Sequence, residues 1–258
     1  MSEQLKNKNV FITGASSGIG EACAEAFARE GANLLLAARR KERIETLSRM
    51  LEEKYLVMTH GFALDVRDHD AVERTIGALP PAWDHIDILV NNAGLSRGLT
   101  KLHAGEIHDW EEMIDTNVKG LLYVTRAVLP GMVKRNSGHV INMGSIAGHE
   151  LYPNGNVYCA SKFAVAALSQ GLRMDLLGTN VRVSSVDPGL VETEFSEVRF
   201  HGDRTRAAQT YANMHPLRAP DIAEVVIFCA TRPPHVDIAQ VIVMPTDQAS
   251  VNHVHRSA

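Results

Sequence analysis

The sequence predicts an α/β fold with a doubly wound, seven-stranded parallel sheet that is flanked by helices. Short runs of β-branched and aliphatic residues alternate with longer amphipathic stretches from one end of the chain to the other. The short runs are almost continuously apolar, which is typical of parallel strands that are covered on both faces. A regular strand–helix–strand alternation requires right-handed crossovers, and these place helices on both sides of the sheet.

Most of the chain can be assigned to these two kinds of element. The predicted strands are Asn9–Thr13, Asn33–Ala38, Val57–Ala63, Ile86–Asn91, His139–Met143, Val181–Val186 and Gln240–Met244. The predicted helices are Glu21–Glu30, Arg40–Lys54, Asp68–Ala78, a long one from Trp110 to about Arg135, and one from about Asn156 to Leu177. Because doubly wound sheets hold their ligands at the carboxyl ends of the strands, residues that follow a strand are the candidates for a functional site.

One stretch of the chain breaks the alternation. Between Pro188 and Pro220 the sequence is polar and shows no clear strand. The stretch carries Arg199, Arg204 and Arg206. A long irregular insert in a compact domain is most often a binding loop, so we predict an irregular substrate lid at about residues 190–219, with a disordered excursion as the alternative. Residues 1–258 as a whole are expected to form a single domain that ends in a tail at 247–258.

The composition argues against several classes of partner. Twenty-six basic and 30 acidic residues give a formal net charge of −4, which disfavours nucleic acid or an anionic membrane as a partner. The three cysteines are too few for a disulfide framework, which favours the cytoplasm. The polar start does not resemble a signal peptide, and no apolar run reaches the roughly 18 residues of a membrane helix. The histidines show metal-ligand spacing only at His253-x-His255, so no metal site is predicted.

A glycine-rich turn between the first strand and the first helix predicts a phosphate site. The turn reads Thr13-Gly14-Ala15-Ser16-Ser17-Gly18-Ile19-Gly20. Glycine lets the backbone approach a phosphate closely, and the N-terminus of the following helix offers free N–H groups and a positive dipole. The residues predicted to bind a dinucleotide cofactor in this turn are Gly14, Ser16, Ser17, Gly18, Ile19 and Gly20.

Two arginines at the end of the second strand indicate which dinucleotide would bind. An NAD-dependent protein usually has an acidic residue near this point, where it binds the ribose 2′-hydroxyl. This chain has Arg39 and Arg40 instead, and guanidinium groups suit a 2′-phosphate. The pair therefore predicts NADP(H). The alternative is that both arginines only begin a solvated helix with Lys41 and Arg43.

The order of these features, from about Lys8 to Pro245, resembles the short-chain dehydrogenase/reductase family, which implies a Rossmann-type fold. Asp65-Val66 resembles the family's adenine-contacting pair, and Asn91-Asn92-Ala93-Gly94 resembles its Asn-Asn-Ala-Gly segment beside the cofactor. Pro188-Gly189 resembles the turn on the nicotinamide side, and Thr193 the residue that often meets the carboxamide. The further cofactor-binding residues that the resemblance implies are Asp65, Val66, Asn91, Ala93, Gly94, Tyr158, Lys162, Pro188, Gly189, Val191 and Thr193.

A tyrosine and a lysine four residues apart lie on one face of a predicted helix. They are Tyr158 and Lys162, and Ser145 follows the fifth strand at the carboxyl edge of the sheet. The resemblance implies that these three and Asn117 form a catalytic tetrad. In this interpretation Tyr158 exchanges a proton with the carbonyl oxygen while hydride moves to or from the nicotinamide, and Ser145 polarises that oxygen. Lys162 is expected to lower the tyrosine pKa, and Asn117 to hold a water that relays protons.

Two stretches, 152–158 and 188–200, resemble the subgroup of NADP-dependent 3-hydroxy acid (serine) dehydrogenases and sulfoacetaldehyde reductases. This resemblance implies a short anionic aldehyde or alcohol as substrate, with a cation opposite the nicotinamide. The substrate-binding residues predicted on this basis are Ser145, Tyr152, Asn154, Tyr158, Arg199 and Arg204. Arg204 and Arg206 stand where the 3-hydroxy acid subgroup tends to carry an acidic or a lysine residue, which favours a sulfonate. We therefore expect reduction of sulfoacetaldehyde to isethionate, with 3-hydroxy acid (serine) dehydrogenase or malonic semialdehyde reductase as the alternative.

Two rival functions share parts of this pattern. A 3-oxoacyl thioester reductase would use the same cofactor and tyrosine apparatus, but the two substrate stretches disfavour it. A non-catalytic NADP-binding sensor would typically lack the tyrosine or the lysine. The family resemblance also implies a homotetramer, with a homodimer as the alternative, and the tail is a candidate to reach a neighbouring subunit's active site.

Overall fold

Nine strands lie within residues 4–257, the part of the chain that the computed structural model describes. The predicted limits of the domain, 1–258, therefore include residues 1–3 and 258, which lie outside the described residues. The strands are β1 (Asn9–Thr13), β2 (Asn33–Ala38), β3 (Thr59–Ala63), β4 (Ile88–Asn91), β5 (Gly138–Met143), β6 (Val181–Pro188), β7 (Val191–Glu192), β8 (Leu217–Arg218) and β9 (Gln240–Val243).

Seven of these strands form one parallel sheet in the order β3-β2-β1-β4-β5-β6-β9. The strand order changes direction between β1 and β4, which is the switch point where doubly wound sheets form a ligand crevice. The sheet confirms the predicted Rossmann-type fold, and all seven predicted strands are present within two residues at each end.

Nine α-helices lie in the same described part of the chain. They are α1 (Gly18–Arg29), α2 (Lys41–Tyr55), α3 (His69–Gly77), α4 (Ile107–Ile114), α5 (Leu121–Arg135), α6 (Asn156–Asp175), α7 (Phe195–Arg199), α8 (Arg204–Gln209) and α9 (Ala219–Ala230). No helix among residues 4–257 is long and apolar enough to cross a membrane.

The long helix predicted from Trp110 to Arg135 is wrong as one regular element. It consists of α4, a π-helical turn at Asp115–Gly120, and α5. Gly120 ends this turn and packs closely against Val66, since a Cβ atom there would lie 2.6 Å from Cγ2 of Val66. The wider turn carries Asn117 into a buried position beside the sheet.

The core lies on both faces of the sheet. Every residue of β1 and β2 is buried, and alternate side chains point to opposite faces. Val10 and Ile12 belong to the apolar cluster that includes residues of α1 and α9, whereas Phe11 belongs to the cluster that includes residues of α5. This double cover accounts for the continuously apolar strands.

The predicted irregular lid at 190–219 is wrong in its secondary structure, because the segment contains β7, α7, α8 and β8. Val191 pairs with Leu217 in a short parallel ladder, and the side chain of Asp203 caps α8 by accepting from the N–H of Arg206 at 3.0 Å. Elements of two to six residues are too short to produce a hydrophobic period in a sequence.

The tail at 247–258, of which residue 258 lies outside the described part, folds back onto its own chain. The Leu190 N–H donates to Oε1 of Gln248 at 2.8 Å, and the Ser257 N–H donates to the Asn213 carbonyl at 2.9 Å. The tail therefore contacts the lid of its own chain, and its expected reach to a neighbouring subunit's active site stays a prediction.

The glycine spacing after β1 has a packing reason. A Cβ atom at Gly20 would lie 2.3 Å from the carbonyl oxygen of Gly14 and 2.4 Å from Nδ2 of Asn92. The same Asn92 amide donates to the carbonyls of Thr13 and Gly14 at 3.0 and 3.2 Å. Only glycine at position 20 lets α1, the end of β1 and the loop after β4 meet at this point.

We predict that Gly20→Ala lowers the free energy of unfolding by about 1–3 kcal/mol, because overpacked backbone must move. Gly77→Ala in α3 is the matched control, since a Cβ there meets no atom within 4 Å, and it should be neutral or stabilising by up to about 1 kcal/mol. Urea denaturation of both variants checks this. Equal stabilities for the two variants would contradict the packing argument.

Candidate active site

A cavity of about 610 Å³ opens at the carboxyl ends of the central strands, at the switch point. Most of the residues predicted to bind cofactor or substrate line it. The predicted residues on its wall are Gly14, Ser16, Ser17, Gly18, Ile19, Arg39, Arg40, Asp65, Val66, Ala93, Gly94, Ser145, Tyr152, Tyr158, Lys162, Pro188, Gly189, Val191, Thr193 and Arg199. Five predicted residues are not on the wall: Gly20, Asn91, Asn117, Asn154 and Arg204.

One end of the cavity has the features of a phosphate cradle. Gly14 and Gly18 adopt positive φ angles of 65° and 59°, which aim the turn at the N-terminus of α1. A Cβ at Gly18 would lie 3.2 Å from Cβ of Thr193, so the turn and the lid approach each other closely at this position. Backbone N–H groups at the start of a 12-residue helix favour an anion there. The residues present therefore fit a dinucleotide phosphate.

Both predicted arginines stand at this end of the cavity. The Arg40 guanidinium donates to Oγ of Ser16 at 3.1 Å and to Oγ of Ser17 at 2.6 Å. It also forms an ion pair of 2.8 Å with Glu194 from the lid. Arg39 lies 3.4 Å from the nearly buried Glu112 carboxylate. Neither arginine only borders a solvated helix, because each is held at the rim of the cavity by a partner from another element.

Asn91 has a structural position next to the cavity rather than on its wall. Its side-chain amide donates to Thr125 and to Asn142 at 2.9 Å each. These bonds tie β4 to β5 and to α5. The next three residues of the motif, Asn92, Ala93 and Gly94, do line the cavity.

The tyrosine predicted to be catalytic is buried at the centre of the cavity wall. Burial raises the pKa of Tyr158 above its ordinary value, and the Arg199 guanidinium and a hydrogen bond with Ser145 act in the opposite direction. The Ser145 hydroxyl accepts from the Ala147 N–H at 3.1 Å. In the protein without cofactor, desolvation of the phenolate therefore outweighs the nearby positive charge. The expected lowering of the tyrosine pKa concerns the enzyme with its oxidised nicotinamide bound, and it stays a prediction.

Lys162 is buried one helical turn beyond the tyrosine. Its ammonium donates to the Met143 carbonyl at 2.9 Å and lies 5.9 Å from the Tyr158 ring centroid. Burial lowers the pKa of Lys162 to about 8, and the charge of Asp187 acts to raise it. The cation with the largest lowering effect on the tyrosine is Arg199 and not Lys162.

Asn117 lies in the π-helical turn and fastens the loop after β4. Its Oδ1 accepts from the Leu95 N–H, and its Nδ2 donates to the Leu95 carbonyl, both at 2.8 Å. The same Nδ2 donates to Oγ of Ser161 at 3.0 Å. Asn117 therefore links the cavity loop to α6 from behind, and its expected role in a water relay stays a prediction.

The opposite end of the cavity has a single lid arginine among aromatic rings. Arg199 donates to the Tyr152 hydroxyl at 2.8 Å and to Oγ of Ser96 at 3.0 Å. Its guanidinium carbon lies 5.2 Å from the ring centroids of both Tyr158 and Phe195. The predicted anion-binding position at Arg199 is thus beside the predicted catalytic tyrosine.

The other predicted substrate contacts lie elsewhere. Arg204 has a side chain that is 85% exposed and stands 3.5 Å from Glu197. Arg206 stacks on Phe200 with its guanidinium carbon 4.4 Å from the ring centroid. Asn154 is exposed and has a φ of 65°, so it serves the turn before α6. The structure does not bring these three residues to the cavity, because α8 and the turn face solvent.

Sequence patterns missed several residues of the cavity wall. Gln248, Val251, Val254 and Arg256 come from the tail, and Glu194 and Tyr211 come from the lid. Arg256 donates to the carbonyls of Thr210, at 3.0 Å, and Ala212. No sequence motif predicts such a contact for a tail residue. Glu194, by contrast, is an acidic residue directly after Thr193, and this position is a signal that it lies near the cofactor.

Comparisons with known proteins agree with this geometry. Residues 8–203 match the family model described as short chain dehydrogenase. The chain is 50% identical over 250 residues to an NADP-dependent 3-hydroxy acid dehydrogenase of Salmonella typhi, covering 96% of this chain and 99% of the relative. It is 46% identical to a protein of the same name from Schizosaccharomyces pombe, with 98% of each covered.

Among solved structures, the closed form of a serine dehydrogenase complexed with NADP+ superposes with a TM-score of 0.90 and 46% identity. That superposition covers 96% of this chain and all of the other. A serine dehydrogenase from Escherichia coli gives a TM-score of 0.81 and 42% identity, with 93% and 99% covered. With its sheet, its glycine turn and its tyrosine–lysine pair in the family's order, the chain belongs to the short-chain dehydrogenase family.

Proposed function

We propose that the chain is an NADP(H)-dependent dehydrogenase that interconverts a short 3-hydroxy acid and the corresponding 3-oxo acid. The observation that carries this proposal is Arg199, a cation 5.2 Å from the Tyr158 ring at the closed end of the cavity. In a 3-hydroxy acid the carboxylate is only two carbons from the reacting carbon. A guanidinium can bind the carboxylate while the hydroxyl lies near the tyrosine.

The relatives support the same substrate class. The similar proteins of Salmonella typhi and Schizosaccharomyces pombe are named NADP-dependent 3-hydroxy acid dehydrogenases, and the similar solved structures are of serine dehydrogenases. Serine is itself a 3-hydroxy acid. High identity over nearly the whole chain makes a shared reaction the simplest expectation.

The cofactor end of the proposal rests on Arg39 and Arg40. Both line the cavity beside the glycine turn, and two guanidinium groups there suit a 2′-phosphate better than a bare ribose hydroxyl. One similar structure contains NADP+. When bound, the nicotinamide supplies or accepts the hydride.

The chain's own residues would handle the proton. Tyr158 would donate its phenolic proton to the carbonyl oxygen during reduction and recover it from the alcohol during oxidation. Ser145, which hydrogen-bonds Tyr158, would hold the same oxygen. The Lys162 ammonium would stabilise the phenolate electrostatically. Asn117 would hold the loop at Leu95 against α6 through its hydrogen bonds to Leu95 and Ser161.

The sulfonate alternative loses the feature that favoured it. It depended on the arginine-rich lid, but Arg204 and Arg206 lie outside the cavity, which leaves Arg199 as the substrate cation we propose. A guanidinium binds a carboxylate or a sulfonate, so substrate competition decides between them.

We further propose that the chain is a single catalytic unit that works in the cytoplasm as a homotetramer, with a homodimer as the alternative. The described residues Leu122 on α5, and Phe163 and Met174 on α6, are large apolar side chains that remain exposed on a single chain. The three cysteines are free and buried, as in a reducing compartment.

We predict that Tyr158→Phe lowers kcat by about 10²–10⁴-fold, because the proton donor is lost while the ring still packs. The dissociation constant for NADPH should change little. Tyr123→Phe on α5, outside the cavity, is the matched control and should keep normal turnover. Steady-state kinetics together with NADPH titration measure both. Normal turnover by the Tyr158 variant would remove it from the mechanism.

We predict that Arg199→Ala raises the KM for malonic semialdehyde by about 10–100-fold, since a charge-assisted bond is worth about 1.5–3 kcal/mol. The KM for a neutral aldehyde such as propanal should change little. Arg204→Ala is the matched control, because that arginine is exposed on the same lid. If the two variants respond alike, Arg199 does not bind the anion.

The wild-type enzyme also decides the substrate class in the same assay. We expect a higher kcat/KM with malonic semialdehyde than with sulfoacetaldehyde when NADPH oxidation is followed. The opposite order would identify a sulfonate reductase and overturn the carboxylate proposal.

Lys162 should reduce stability at neutral pH. Its pKa is about 8 in the folded protein and 10.5 ordinarily, so the buried ammonium destabilises the fold below pH 8. That destabilisation disappears as the pH rises from about 8 to about 10.5, where the folded chain has lost a proton that the unfolded chain still holds.

We therefore predict that Lys162→Met raises the free energy of unfolding by about 1–3 kcal/mol at pH 7 while abolishing turnover. The gain should shrink toward zero at pH 10. Lys41→Met, an exposed lysine on α2, is the control and should show no such pH dependence. Urea denaturation of cofactor-free protein at both pH values measures the effect. A variant that is destabilised at pH 7 would show that the lysine contributes to stability instead.

A further inference from the structure

A lid carboxylate pairs with Arg40, one of the two arginines of the proposed 2′-phosphate site. Glu194 follows Thr193 and precedes α7. One of its oxygens lies 2.8 Å from Nη1 of Arg40, and the other lies 2.7 Å from Nη1 of Arg43. The two guanidinium groups hold the pKa of Glu194 below its usual range, so this carboxylate is ionised at neutral pH.

The position of Glu194 disfavours binding of the cofactor's 2′-phosphate. A 2′-phosphate on Arg40 would bring about two further negative charges to a guanidinium that already pairs with a carboxylate. The three side chains are only about half-buried, so their interaction is modest and can be exchanged. The carboxylate and the phosphate therefore compete for the same donors.

Glu194 is not needed to orient Arg40. Nε and Nη2 of Arg40 donate to the Ser16 hydroxyl at 3.1 Å each, and Nη2 also donates to the Ser17 hydroxyl. These bonds leave the guanidinium beside the glycine turn when the carboxylate is removed. The contact with Glu194 thus adds negative charge to the site, whereas Ser16 and Ser17 already orient the Arg40 guanidinium.

We propose that Glu194, which pairs with Arg40 and Arg43, is a specificity-determining residue that competes with the cofactor's 2′-phosphate for Arg40. The inference rests on the proposed NADP(H) dependence. Glu194 weakens the binding of NADP(H) relative to a site that contains only the arginines. It also reduces the preference for NADP(H) over NAD(H). It also ties the start of the lid to the 2′-phosphate site, because the phosphate releases the carboxylate that fastens the lid there.

The test compares the affinities of the purified, full-length enzyme for NADPH and NADH. Each dissociation constant is obtained by titrating nucleotide fluorescence in wild type, Glu194→Gln and Glu197→Gln. Glu197 is the matched control, because it lies on the same lid but pairs with Arg204 outside the cavity. We expect Glu194→Gln to tighten NADPH binding about two- to fivefold, as for a partly exposed ion pair, and to leave NADH binding unchanged. Glu197→Gln should change neither.

Other outcomes overturn the inference in distinguishable ways. Weaker NADPH binding by Glu194→Gln would mean that the carboxylate orients the arginines, and an unchanged NADPH/NADH ratio would mean that it does not reach the phosphate. If both glutamine variants bound NADPH more tightly by the same factor, the effect would come from the loss of one negative charge anywhere on the lid. An Arg40→Ala variant separates these failures from failure of the cofactor assignment. If wild type shows no preference for NADPH and Arg40→Ala binds it equally well, the 2′-phosphate site itself is wrong.

Discussion

The close contact between the glycine turn and the loop after β4 supports everything else in the molecule. Oγ1 of Thr13 accepts from the backbone N–H groups of Asn92 and Ala93 at 3.1 Å each. The side-chain amide of Asn92 in turn donates to the Thr13 carbonyl at the end of β1. These bonds hold the switch point open at a fixed width. The glycine at position 20 lets the turn and the loop after β4 approach each other closely, so it supports the site through packing rather than through contact with a ligand.

The crevice has positive charge at both ends and a buried tyrosine between them. Each end is balanced by groups of the chain itself: Arg40 by Glu194, and Arg199 by the hydroxyls of Tyr152 and Ser96. The difference matters, because a carboxylate neutralises its arginine while hydroxyl groups leave the positive charge in place. The Arg199 end therefore keeps its full attraction for an anion, whereas the Arg40 end is partly satisfied before any ligand arrives.

The sequence predicts those parts of the fold and site that depend on local patterns. Seven strands, the switch point and the phosphate turn follow from apolar period and glycine spacing, whereas other residues of the cavity wall, such as Asp65 and Thr193, are predicted only by the family resemblance. The π-helical turn at Asn117 does not, because the local pattern of residues does not distinguish this turn from the α-helices on either side of it. For the same reason the sequence could not separate Arg199 from Arg204. Both are lid arginines, and only the direction of two short helices places one inside and one in solvent.

The kind of contact that holds the lid suggests how it can move. Arg97 and the Gly98 N–H hold the carbonyls of Val198 and Arg199, and Arg256 of the tail holds two further lid carbonyls. Hydrogen bonds and ion pairs of this kind each contribute about 1 kcal/mol, since water replaces them when they break. The sheet core, by contrast, depends on apolar burial that water cannot replace. The lid also packs Phe195 and Val198 against the apolar cluster that includes Tyr158, so opening it would break exchangeable polar bonds and expose that cluster, whereas closing it would exclude water around the tyrosine.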